Sequence, residues 1–218
     1  MTELRTEEEQ IAAIKSWWKD NGKSLVIMIA VAVAAVYGYK AWQQQQITAS
    51  GNASAMYQRM IALAVPSANA DVEENLATSK HLVKSLKEEY KSSEYTKFAS
   101  LLMAKIAVNS GDLSPAEQEL DWLLSAEPQP LVKSIALIRK AQIDAEQGEY
   151  DSALELLNGV TIASLTVQAA ELEGDIYVAK GDIPKARAAY QKALANKAVG
   201  SAQQILTMKL NDLTPEES

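Results

Sequence analysis

Cysteine is absent from this 218-residue sequence, and histidine occurs only once. Without cysteine the chain has no disulfide framework, no thiolate nucleophile and no cysteine-based metal site. The histidine, His81, lies in a predicted helical stretch, Leu76–Tyr90, where a surface or packing role is commoner than general-base catalysis. Glycine-rich phosphate loops and recognisable nucleophile motifs are missing too. We therefore predict a protein that is not an enzyme and that uses no cofactor.

The chain lacks a net positive charge, because its 21 basic side chains are outnumbered by 28 acidic ones. Residues 1–42 hold five basic and five acidic side chains, so the net charge of −7 belongs to residues 43–218. Pairs such as Glu73-Glu74 and Glu88-Glu89 fall on predicted solvated helix faces, where they are ordinary surface charges. An acidic domain disfavours nucleic acid and anionic lipid surfaces as partners.

One long uncharged run, Ser24–Tyr39, stands between Lys23 and Lys40. Its sixteen residues span about 24 Å as a helix, a little less than a hydrocarbon core of about 30 Å. The flanking lysines can extend their charged ends outward. Aromatic residues typical of membrane interfaces lie at both ends: Trp17, Trp18, Tyr37, Tyr39 and Trp42. We predict a transmembrane helix over residues 22–42.

Two other interpretations of this run are weaker. A buried core helix would need protein on all sides, and the remaining chain is too short to supply it. A cleaved signal peptide has a short basic leader, whereas this leader exceeds twenty residues and contains Glu7, Glu8 and Glu9. The small-residue triplet Ala53-Ser54-Ala55 comes late for cleavage. An uncleaved anchor is favoured.

The basic residues beside the run predict its orientation. Four of them precede it, namely Arg5, Lys15, Lys19 and Lys23, whereas only Lys40 follows before Arg59. The positive-inside rule then places residues 1–21 in the cytoplasm and the bulk of the chain outside. In a Gram-negative bacterium that outside is the periplasm.

The chain after the apolar run is rich in Ala, Leu, Glu, Lys and Gln, which predicts helices throughout. Three turns in which a glycine precedes an acid interrupt it, at Gly111, Gly148 and Gly181. Aligned on these glycines, the segments match at further positions. Small residues precede each glycine by seven (Ala104, Ala141, Gly174), and alanines follow by five (Ala116, Ala153, Ala186). Mostly large residues then complete one helix face: Leu120, Leu157 and Tyr190, followed by Leu123, Val160 and Ala193. The pattern predicts paired helices packed in register.

These positions resemble the tetratricopeptide repeat. The family's signature spacings match Gly174 with Tyr177 and Ala186 with Tyr190, and its closing proline matches Pro128. The resemblance implies an all-α solenoid with three repeats over residues 94–197. Residues 43–93 would form a helical linker and a diverged first repeat, with Val65–Asp71 as a loop. Residues 198–218 would form a capping helix and tail, with an apolar side of Ala202, Ile205, Leu206 and Leu210.

Stacked repeats expose the first helix of each pair on a concave surface suited to partner binding. Placing this sequence on the repeat positions predicts twelve lining residues: Phe98, Leu101, Lys105, Val108, Asn109, Ile135, Ile138, Gln142, Gln168, Glu171, Asp175 and Val178. The predicted groove is apolar at its N-terminal end and acidic at the other. Clamps for acidic peptide tails are disfavoured, because Leu101, Ile138 and Glu171 stand at one clamp position. A basic or apolar extended segment fits better. The alternative is that flanking helices of the chain itself cover the apolar residues.

The whole chain resembles the YfgM family, the ancillary subunits of the SecYEG translocon. The features that carry the resemblance are a short acidic tail, the approach Ser16-Trp17-Trp18-Lys19-Asp20-Asn21-Gly22, one anchor and an acidic repeat domain. The resemblance implies a single-pass type II inner-membrane protein that associates with SecYEG and the chaperone PpiD. It would help to pass unfolded, newly translocated polypeptides to periplasmic chaperones. Two other classes stay open: a regulator of envelope-stress signalling that acts through Thr2–Lys15, and an assembly factor for another inner-membrane complex.

Overall fold

The structure, a computed structural model, describes residues 7–65, 72–196 and 200–213. Every regular element within these ranges is helical, which confirms the all-α prediction. The α-helices are α1 (Glu7–Ala64), α2 (Val72–Glu89), α3 (Glu94–Asn109), α4 (Leu113–Ser125), α5 (Pro130–Glu146), α6 (Tyr150–Asn158), α7 (Thr166–Ala179), α8 (Ile183–Ala195) and α9 (Ser201–Asp212). A 3-10 turn, Ala163–Leu165, precedes α7. The chain divides into two units, residues 1–51 and 52–218.

The first unit contains the apolar run, which lies inside α1 as predicted. Among the described helices, α1 alone is long and apolar enough to cross a membrane. Its most apolar window contains no buried residue, unlike the core helix of a soluble protein. The flanking aromatic side chains are exposed, and the rings of Tyr39 and Trp42 lie 6.0 Å apart. A helix with this pattern suits a hydrocarbon environment.

The second unit contains three helical hairpins, α3–α4, α5–α6 and α7–α8, which coincide with the three Gly-acid turns. Gly111, Gly148 and Gly181 have φ of 76°, 81° and 75°, the left-handed region that a β-carbon disfavours. The acids after them occupy the cap position of the second helix. Of these acids, only Asp182 makes a capping hydrogen bond: its side-chain Oδ1 accepts from the backbone N–H of Lys185 at 3.2 Å. Asp112 and Glu149 make no such bond.

The small residues of the repeat pattern lie where helices approach each other. Ala116, Ala141, Ala153 and Ala186 are fully buried, and Ala104 is nearly so. Gly174 packs directly against the ring of Tyr190 on the paired helix. A larger side chain at these positions would hold the two helices of a hairpin apart, because protein interiors are close-packed.

Further helices flank the hairpins on both sides. Residues 52–64 of α1 pack with α2 and α3 around a core of Ala53, Met60, Leu82, Val83, Leu86, Ala99 and Met103. Residues 52–64 of α1 and helix α2 lie where the diverged first repeat is predicted. Residues 66–71 of the predicted loop lie outside the described residues. At the other end α9 buries Leu206 completely and Ala202 and Leu210 partly. Ile205 is 43% exposed, so its predicted place on the apolar side is wrong. Residues 198–199 and 214–218 of the predicted cap and tail also lie outside the described residues.

Candidate functional site

A cleft of about 700 Å³, here called the central cleft, lies between α3 and α5, the first helices of two successive hairpins. Helix α4 contributes Leu113 and Leu120 to its lining. Half of the predicted groove lines it: Leu101, Lys105, Val108, Asn109, Ile135 and Gln142. The α3 members lie on one face because three- and four-residue steps bring side chains above one another in a helix.

Seven lining residues were missing from the sequence prediction: Ala104, Gly111, Leu113, Leu120, Arg139, Ile143 and Glu146. Arg139 follows Ile135 by four residues, and Glu146 follows Gln142 by four. Continuing the i, i+4 face of α5 would therefore have found both charged members. The omission matters, because these two residues and Lys105 supply all the formal charge of the lining.

Arg139 makes a side-chain hydrogen bond within the central cleft. Its Nη1 donates to Oε1 of Gln142 at 2.9 Å, which leaves the amide N–H groups of Gln142 as donors. Neither Arg139 nor Lys105 contacts a carboxylate within the described residues. The neighbouring Lys140 differs, because its Nζ lies 2.7 Å from Oδ1 of Asp121. Burial lowers the pKa of Lys140, but its hydrogen bond and attraction to Asp121 outweigh burial and raise that pKa.

Two predicted groove residues lie elsewhere. Ile138 is only 1% exposed and belongs to a core cluster that includes Ala153 of α6 and Ile176 of α7. Its assignment to a binding surface is therefore wrong, because α6 of its own hairpin and α7 of the next one cover it. Phe98 is half-buried, with its ring 6.0 Å from that of Tyr57 and 6.5 Å from that of Tyr95. It serves packing next to the central cleft rather than lining it.

The acidic end of the predicted groove is occupied by α9. Nζ of Lys209 lies 2.8 Å from Oε1 of Glu171 and 2.8 Å from both carboxylate oxygens of Asp175. The Tyr190 hydroxyl also donates to Asp175, at 2.7 Å. The prediction that this end of the groove is acidic is therefore wrong, because the ammonium group of Lys209 offsets much of the charge of Glu171 and Asp175. Gln168 and Val178 are exposed, but they do not line the central cleft.

This network shifts two pKa values upward. Burial and the Asp175 carboxylate raise the pKa of Tyr190 far above its usual value of 10.0. Burial lowers the pKa of Lys209, but hydrogen bonds to Asp175 and Glu171 outweigh burial and raise it. Both groups therefore keep their protons at neutral pH, and α9 stays attached to α7 through a charged, hydrogen-bonded contact.

The lining of the central cleft combines apolar side chains with two cations, Lys105 and Arg139, one carboxylate, Glu146, and two side-chain amides, Asn109 and Gln142. Within residues 7–65, 72–196 and 200–213, no cluster of three or more His, Asp or Glu side chains is arranged to hold a metal ion. A ligand in such a cleft would make apolar contacts and would pair its polar groups with those of the lining.

Comparison with known proteins agrees with this architecture. A family model described as a tetratricopeptide repeat-like domain matches residues 15–215. A protein of Haemophilus influenzae named ancillary SecYEG translocon subunit is 32% identical over 95% of this chain and 97% of its own length. Relatives with the same name from Aggregatibacter actinomycetemcomitans and Escherichia coli are 31% and 25% identical with the same coverage. No solved structure matches this chain. The chain therefore belongs to the tetratricopeptide repeat-like family of ancillary SecYEG translocon subunits.

Proposed function

We propose that this protein is a membrane-anchored scaffold that associates with the SecYEG translocon and receives polypeptides as they leave the channel. The observation that carries the proposal is the similarity to proteins named ancillary SecYEG translocon subunit, which extends over 95% of this chain. Similarity of that extent includes both the apolar helix and the repeats. A shared role for the whole protein is therefore a better explanation than a shared repeat fold alone.

The apolar helix acts in this proposal as an uncleaved anchor, with residues 1–21 in the cytoplasm and the repeats in the periplasm. The basic residues that precede residue 24 support this orientation. Anchoring keeps the repeats near the channel exit at a high effective concentration, so weak contacts with a client are sufficient. Weak contacts also allow the client to leave. The next carrier is the periplasmic chaperone network, with the membrane-anchored chaperone PpiD as the immediate partner.

Affinity purification in a mild detergent tests the association. The full chain with a C-terminal tag should retain SecY and SecE from membranes, together with PpiD. Recovery of another inner-membrane complex without channel subunits would refute the proposal. Protease added to spheroplasts tests the orientation: it should degrade the repeats and spare residues 1–21. Protection of the repeats would contradict the proposed topology.

Site-directed crosslinking tests whether clients use the central cleft. We expect Val108→Glu to weaken crosslinks to a translocating polypeptide, because a charge would enter a cleft lined by Leu101 and Ile135. Val108 is 43% exposed, so the substitution should leave the fold intact. Leu131→Glu is the matched control: Leu131 is 50% exposed on α5 and lies outside the cleft lining. Equal crosslinking by both variants would place the client site elsewhere.

A further inference from the structure

The two cations of the central cleft differ from several lysines of the repeats, which are paired with carboxylates. Lys87 lies 2.6 Å from a carboxylate oxygen of Glu119, and Lys209 is paired with Glu171 in the same manner. Lys105 and Arg139 line the cleft without a carboxylate contact among the described residues, although Glu146 lines it too. An exposed cation beside an apolar surface is available to a carboxylate that arrives with a ligand.

The polar lining of the central cleft favours an extended ligand over a helical one. An extended segment has free backbone N–H and C=O groups, whereas a helix satisfies its own. Asn109 and Gln142 in the lining carry amides that can pair with such free groups.

We propose that the central cleft selects extended apolar segments that carry Asp or Glu next to their apolar residues. The apolar side chains would contact Leu101, Val108 and Ile135, and the carboxylates would pair with Lys105 and Arg139. This inference rests on the proposed function, since it names the class of unfolded client segment that the same site receives. The inference reverses the expectation of a basic segment. That expectation depended on the carboxylates of Glu171 and Asp175, which are paired with Lys209.

Two features of the chain oppose an acidic ligand, and both act weakly at this site. Residues 43–218 carry the net charge of −7, but charges beyond about 8 Å are largely screened at physiological salt. Glu146 follows Arg139 by seven residues, which places it about 10 Å further along α5. It therefore repels a carboxylate at one end of the cleft and leaves the two cations to act at the other positions.

Three labelled peptides test the selection on the full chain in a mild detergent. They share a Leu-Val-Leu centre and carry two Glu, two Gln or two Lys residues at the flanks, and binding is followed by fluorescence anisotropy. We expect the affinity order Glu, Gln, Lys, with the difference shrinking as salt increases. Lys105→Gln with Arg139→Gln should weaken binding of the Glu peptide about two- to fivefold for each cation removed. The same variant should leave the Gln peptide unaffected.

Lys133→Gln is the matched control, since Lys133 is exposed on α5 but does not line the cleft. It should reproduce the wild-type preference. Equal affinity for the three peptides, a preference for Lys, or no binding of any peptide would overturn the inference. A Glu preference that survives in the double variant would overturn the assignment to these cations. Co-purification of channel subunits with the wild-type chain is a separate readout: failure to recover them would refute the proposed function and not the charge selection.

Discussion

Gly174 is the position where the helix packing of the repeats is most sharply testable. A β-carbon built there would lie 2.9 Å from Cζ of Tyr190 and closer still to Cδ1 and Cε1. Tyr190 has little room to withdraw, because it is 2% exposed and its hydroxyl is bonded to Asp175 at 2.7 Å. Gly174→Ala must therefore displace the ring, the helix α7, or both.

Opposing effects set the size of the change. Alanine in place of glycine in a helix interior stabilises by about 1 kcal/mol. Overpacking of a well-filled core costs about 1–3 kcal/mol, and loss of a hydrogen bond to a charged group costs about 1.5–3 kcal/mol. Because the clash displaces the ring that carries this bond, both costs apply. We expect Gly174→Ala to lower the free energy of unfolding of the repeats by about 1.5–5 kcal/mol.

Urea unfolding of the full chain in detergent, followed by circular dichroism at 222 nm, measures the effect. In a Tyr190→Leu background the smaller side chain leaves space, so Gly174→Ala should become neutral or slightly stabilising. Gly51→Ala serves as a second control, because a β-carbon at Gly51 meets no atom within 4 Å. A Gly174→Ala protein as stable as the wild type would refute the packing argument. So would equal destabilisation in both backgrounds.

The other predictions use the same unfolding assay. Leu123→Ala should cost about 2–5 kcal/mol, because Leu123 is fully buried between helices, and a cost below 1 kcal/mol would contradict that packing. Ile138→Glu should unfold the domain by burying a charge in the core, whereas Leu101→Glu at the half-buried cleft wall should remain folded; similar behaviour of the two would contradict the assigned positions. Above about pH 10 the contact of α9 should weaken. The pKa values of Tyr190 and Lys209 are raised in the folded state above their ordinary values of 10.0 and 10.5. The stability that each contributes is therefore fully present below its ordinary pKa and is lost as the pH rises through its folded-state pKa. Tyr190→Phe should flatten this loss, and an unchanged pH profile in that variant would contradict the role of the tyrosine.

Much of the fold follows from local pattern. The three glycines with positive φ and the buried alanines five residues after each were visible as a repeat, because a hairpin needs a left-handed turn residue and a small contact residue at fixed distances. The capping bonds were less predictable. Of the three acids at equivalent positions, only Asp182 accepts a backbone N–H, since such a bond depends on small differences in local geometry.

The amino-acid sequence by itself determined the helical class, the repeat spacing and the apolar run, since each depends on residues that are neighbours along the chain. It also determined which side chains share a helix face, which is how six lining residues of the central cleft were found. Only the tertiary structure decided which faces are covered. Ile138 is buried against Ala153 of α6 and Ile176 of α7, and Asp175 is held by Lys209, 34 residues further along the chain. Periodicity assigns a residue to a face, but only packing between distant helices decides whether that face is open.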